Sequence, residues 1–158
     1  MGARDFQTEA GKELARAIPS DQFLHIADPR WTNIPQAAGL APNKQRAWEI
    51  AHYQKAWKLG SRSVMLFYLA AETEDAPVPN KPGRAYGQGT RSEFSETIGY
   101  MQGSWQSVQV VIGIDPQHNR RGIGEYLDRA PGFNIPIYEG LQPTCQAAAE
   151  LLMRGAHQ

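Results

Sequence analysis

Residues 43–71 read NKQRAWEIAHYQKAWKLGSRSVMLFYLAA, and how this stretch folds decides the architecture. Asn43 is a helix-capping residue type at the head of a long polar and apolar pattern. Ile50, Tyr53, Trp57, Gly60, Val64, Phe67 and Ala71 recur at steps of three and four. That spacing predicts one helix over 43–71, about 43 Å long at 1.5 Å per residue. From Val64 onward the pattern is apolar all round, VMLFYLAA. A helix apolar on every side is buried, in its own core or against another subunit. Gly60-Ser61 marks a bend or a close crossing. Trp48 stands one step off the seam. With Trp57, Val64, Phe67 and Tyr68 it makes the expected interface between copies of the chain.

Downstream, Pro77, Pro79 and Pro82 forbid regular structure, and 76–92, APVPNKPGRAYGQGTRS, reads as a mobile polar loop. Arg84, Tyr86 and Arg91 are its candidate contact residues. Residues 93–106 fit either a helical turn or an extended approach. SVQVVIGI is a strand, with Val108, Val110, Ile112 and Ile114 on one face and Gln109, Val111 and Gly113 on the other. DPQHN is a turn after it. IGEYLD reads as a second strand or a short helix, and IYEGL as a short strand. Residues 143–154 form a last helix, opened by Pro143 and stopped by Gly155. Upstream, 5–18 is a short helix with Phe6, Ala10, Leu14 and Ile18 on one stripe. Residues 20–42 are an irregular connection that Trp31 and Ile34 pin to the core. The expected fold is α+β. A single domain over 1–158 has the long central helix and the C-terminal helix packed on a small antiparallel sheet.

Sixteen Lys and Arg balance sixteen Asp and Glu. The balance holds by halves, nine against nine over 1–79 and seven against seven over 80–158. Such neutrality disfavours a general grip on nucleic acid and permits self-association. Cys145 is the single cysteine, so no internal disulfide forms and a reducing compartment is the default. The start, MGARDFQTEAGKEL, has no apolar core of a signal peptide, and VMLFYLAA is too short to span a bilayer.

Chemistry-bearing residues concentrate in 104–126, SWQSVQVVIGIDPQHNRRGIGEY. His118 is a candidate general base, Arg120 and Arg121 a candidate phosphate grip, and Glu125 a carboxylate that could orient the imidazole. These are the parts of a small hydrolase or nuclease-like, toxin-type enzyme. The competing reading is a polar turn with solvated charges, which needs no catalytic residue. RRGIG has neither the Walker nor the dinucleotide spacing. The four histidines match no metal-ligand pattern, so neither metal nor cofactor is expected. Cys145 reads as a packed, unreactive thiol.

In the order of its elements, the chain resembles the tail-completion and head–tail joining proteins of long-tailed bacteriophages. The matching pieces are VMLFYLAAETEDAPV, the loop 79–92, GYMQGSW, VQVVIGI, EYLD and LQPTCQAAAELL, within about 44–154. GYMQGSW lacks that family's threonine before glycine, and EYLDRAP lacks its Glu-x-Gly-Thr ending. The resemblance implies a structural virion protein assembled in the host cytoplasm. It would form a homo-oligomeric ring at the neck or tail and contact other tail or neck proteins. It implies no membrane, no cofactor and no sequence-specific nucleic acid.

Overall fold

The computed structural model describes residues 3–18, 42–71, 88–103, 108–118 and 124–156. The deciding stretch is not one helix. Helix α2 spans Pro42–Leu59, a 3-10 turn takes Gly60–Arg62, and strand β1 runs over Val64–Leu69. The break has a local cause. Gly60 adopts a φ of 56°, a left-handed conformation that glycine enters without steric cost. Ser63 then ends the helix. Its N–H donates to the Gly60 carbonyl at 3.1 Å and its hydroxyl to the Ala56 carbonyl at 2.6 Å. Ser63 itself is extended, with φ −138° and ψ 154°, and so launches the strand.

The sheet has three strands in the order β1-β2-β3, with β2 at Gln109–Ile114 and β3 at Ile137–Glu139. Both pairings are parallel, Val64 opposite Gln109 through Leu69 opposite Ile114, and Ile112 opposite Ile137 through Glu139 opposite Ile114. This corrects the antiparallel sheet expected from sequence. Parallel neighbours need a long crossover, not a hairpin, and each connection carries a helix. Helix α3, Gln88–Gly103, lies between β1 and β2. Helix α4, Gly124–Arg129, and a 3-10 turn at Ala130–Phe133 lie between β2 and β3. EYLD is therefore helical, not the return strand of a pair. The fold is α/β-like, not the expected α+β arrangement.

A parallel sheet is ordinarily covered on both faces, and this one is. Met65, Phe67, Val110, Ile112 and Ile114 face a core closed by Phe94 and Ile98 of α3, by Ala130 and Ile135, and by Tyr53, Ala56 and Trp57 of α2. Phe67 meets Phe94 edge to face at 5.5 Å between ring centroids. On the other face Val64, Leu66 and Val111 pack against Leu14 of α1, Ala3–Ala17, and against Ala147, Ala148 and Leu151 of α5, Leu141–Ala156. The facing of β2 expected from its alternation is the one observed. VMLFYL is thus apolar throughout because it is a strand buried between two helical layers.

Other expected boundaries move. Helix α3 begins at Gln88, so the last part of the loop expected over 76–92 is helical, as are residues 93–103. Residues 72–87 lie outside the described residues, as does the connection expected over 20–42 apart from Pro42, which opens α2. Helix α5 opens two residues before Pro143 and runs through Gly155 instead of stopping there. Gly155 is buried, and a Cβ at that position would lie 1.8 Å from the Ser61 carbonyl oxygen. The Gln109 side-chain amide donates to that same carbonyl.

Candidate functional site

In open α/β sheets, ligands bind beyond the carboxyl ends of the strands at a point where the strand order reverses; the order β1-β2-β3 has no reversal, so the carboxyl edge here is judged on its own contacts. That edge is built here from three adjacent chain segments. The Asp115 N–H donates to the Leu69 carbonyl at 2.9 Å, and the Gly140 N–H to the Ile114 carbonyl at 2.8 Å. The ends of β1, β2 and β3 are therefore tied side by side. Beyond β2 comes a tight turn. The His118 N–H donates to the Asp115 carbonyl at 2.8 Å, and the Gln117 N–H to the Asp115 carboxylate Oδ1 at 2.9 Å. Pro116 and Gln117 are exposed at its tip, while Asp115 and His118 are half-buried. Aspartate is suited to this position because its short side chain closes the turn two residues on.

Beside the turn, Glu139 ends β3 exposed, and Gly140, with φ 89°, reverses the chain into α5. The Thr144 hydroxyl donates to the Gly140 carbonyl at 2.6 Å. Tyr68 lies at the same edge. A Cβ on its strand partner Gly113 would lie 2.6 Å from Tyr68 Cδ2 and 2.3 Å from Thr144 Oγ1, so the missing side chain makes room for both. Burial, the Asp115 carboxylate and Cys145 push the Tyr68 phenol up to about 12, which keeps it protonated. Cys145 is fully buried beneath α1, its Sγ 3.8 Å from the Ala10 carbonyl oxygen. Burial and then the nearby Glu13 push its thiol up to about 11, the reverse of what a nucleophile needs.

Of the residues singled out for chemistry, the structure places His118 at this edge. Arg120 and Arg121 lie outside the described residues. Glu125 lies in α4, its side chain outside them. Of the loop residues, Arg84 and Tyr86 lie outside the described residues, and Arg91 is part of α3, its side chain likewise undescribed.

The residues expected at an interface find partners within the chain. Phe67 is buried in the core. Val64 packs toward α5, as does Tyr68 over Gly113. Trp57 stacks on Tyr100 at 4.4 Å, and its indole N–H donates to the Met65 sulfur at 3.1 Å. Trp48, half-buried, stacks on His52 at 3.7 Å. His52 Nδ1 lies 2.8 Å from the Trp48 carbonyl, which can only accept, so Nδ1 carries the proton.

An open groove of about 970 Å³ runs between α1 and α5. Its charged lining is largely internally matched. Arg16 pairs with Glu13, Gln146 with Glu150, and the Arg154 guanidinium with the Glu150 carbonyl. Among the described residues no three His, Cys, Asp or Glu side chains cluster as metal ligands, and no helix is long and apolar enough to cross a membrane.

Glu139 and Gly140 escaped the sequence reading. The signal that exposes them is topological: they gain meaning only once β3 runs parallel to β2 and ends beside Asp115. No protein-family model, curated protein or solved structure matches the chain.

Proposed function

We propose that this chain is a small α/β enzyme that takes a phosphate-bearing substrate at the carboxyl edge of its sheet and hydrolyses a phosphoester there. The observation that carries the reading is the position of the Asp115–His118 turn. It is the direct continuation of the central strand, which is buried on both faces and therefore rigid. In this reading His118 takes a proton from water as the water oxygen bonds to phosphorus. The ester P–O bond breaks, and the alcohol leaves with a proton from solvent. Arg120 and Arg121, the second and third residues after His118, hold the phosphate oxygens. Glu125, seven residues after His118 in the sequence, is the carboxylate this reading assigns to the imidazole.

The test is release of nitrophenol from bis(4-nitrophenyl) phosphate by the purified chain, alongside His118→Ala. Loss of a general base lowers the rate about 100-fold or more. A wild-type chain with no turnover, and no shift of the amide resonances of 115–118 on adding inorganic phosphate, sinks the reading.

Self-assembly as a phage neck or tail subunit is the second reading. The continuous apolar rod that motivated it is replaced by a helix and a buried strand. The observation in its favour is the exposure of Ile50 on α2 and Ile137 on β3. Light scattering decides it, since a monomeric mass at high concentration leaves no ring.

A further inference from the structure

The net neutrality of the chain conceals local imbalances, and one of them falls on α2. Between Glu49 and Glu72 there is no acidic residue, while Lys55, Lys58 and Arg62 fall in that interval. Their spacing, with Trp48 seven residues before Lys55, puts Trp48, Lys55 and Lys58 on one side of α2, and Arg62 follows in the 3-10 turn at the end of that helix. This side is opposite Tyr53, Ala56 and Trp57, which meet the core. Lys55, Lys58 and Arg62 are all exposed. Among the described residues none of the three side chains has a hydrogen bond or ion pair.

The other polar helix behaves differently. The solvent side of α1 alternates its signs and pairs them, Lys12 with Glu9 and Arg16 with Glu13. The face of α2 instead carries cations of one sign beside an indole held in place by its stack on His52.

We propose that this face of α2, from Trp48 through Lys55 and Lys58 to Arg62, binds single-stranded nucleic acid without sequence preference. The cations match a row of phosphates, and the face of the indole turned away from His52 is the stacking surface that any base accepts. Duplex DNA and an anionic membrane offer the charge but no unstacked base. The surface is separate from the carboxyl edge. Arg62 precedes β1 and so lies at the amino end of the sheet, whereas His118 follows the end of β2. The inference therefore does not rest on hydrolysis, and a chain that binds without turnover leaves it standing.

The experiment is fluorescence anisotropy of a labelled oligothymidine with the full chain over a salt series. Three phosphate contacts give a slope of log K against log salt of about −2, from roughly −0.7 per contact on a single strand. Lys55→Gln/Lys58→Gln/Arg62→Gln is expected to flatten the slope and weaken binding at least tenfold at low salt. These side chains are exposed, so the fold, checked by thermal melting, is expected to persist. Trp48→Ala is expected to weaken oligothymidine about tenfold, within the range for loss of one stacked base, and to leave heparin binding unchanged. No wild-type binding, or equal binding by the triple variant, overturns the proposal. Equal or tighter binding of duplex DNA or of anionic vesicles overturns the choice of a single strand.

Discussion

Substituting Gly155 by alanine tests the packing of α5 on the start of the sheet more sharply than any other single methyl group. The added Cβ would sit 1.8 Å from the Ser61 carbonyl oxygen and 2.7 Å from its carbon. Neither atom is a flexible side-chain end, so α5 or the 3-10 turn must shift. Overpacking of this kind costs about 1–3 kcal/mol, and a contact this short with backbone belongs at the upper end. The same carbonyl accepts from the Gln109 amide, and disturbing that bond adds about 1 kcal/mol. Alanine recovers up to about 1 kcal/mol of helix propensity, less so near a helix end. The net expectation is a loss of about 2–3 kcal/mol, or roughly 5–10 °C in melting temperature for a chain of this size. Urea unfolding at constant m-value is the assay. Gly99→Ala is the control. That glycine is exposed within α3 and its Cβ would meet nothing within 4 Å. It is expected to gain about 0.5–1 kcal/mol. If Gly155→Ala is as harmless as Gly99→Ala, α5 does not approach Ser61 as described and the argument fails.

Three further outcomes follow from the same structure. Gly113→Ala places a Cβ 2.3 Å from Thr144 Oγ1. It should lose about 2 kcal/mol or more, and Gly113→Ala/Thr144→Ala should recover part of that loss in urea unfolding, which independent sites would not do. Ser63→Ala removes the hydroxyl that closes α2 and should cost about 1 kcal/mol by the same measurement. At alkaline pH the raised Cys145 thiol and Tyr68 phenol both act in one direction. The unfolded chain gives up these protons first, so stability is full below about pH 9 and falls as pH rises from 9 toward 11 for Cys145, then from 10 toward 12 for Tyr68. Cys145→Ala should flatten the first part of that decline in melts against pH, and an unchanged profile would contradict the buried thiol.

The two main strands were unequally legible, and the reason lies in their neighbours. Both are buried on two faces. Yet β2 alternates, because the side facing α5 holds Gln109, which reaches the Ser61 carbonyl, and Gly113, which clears Tyr68 and Thr144. The polar and small residues write a period of two into the sequence. On β1 the same side holds Val64, Leu66 and Tyr68, so no alternation appears. A short apolar run cannot be told from a buried helix by periodicity alone. What separates them is length and punctuation: six residues, preceded by a glycine that takes a positive φ. Helix α3 was readable in principle, since Phe94, Thr97, Ile98 and Met101 keep a helical stripe. Its exposed Gly99 and its terminal Gly103 diluted the pattern.

The carboxyl edge was half legible for a different reason. His118 could be singled out as a residue type after a strand, but its neighbours could not, because adjacency across parallel strands is set by crossovers that contribute no local pattern. Glu139 and Gly140 sit beside Asp115 only because α4 returns the chain to run β3 alongside β2. With β3 antiparallel, its final residues would stand at the opposite end of the sheet, and the turn would face empty edge. Strand direction, more than residue identity, determines which side chains stand together at this edge. A chain whose phosphate response mapped to the amino end of the sheet, with 115–118 and 139–140 unmoved, would show that the parallel edge does not organise the site.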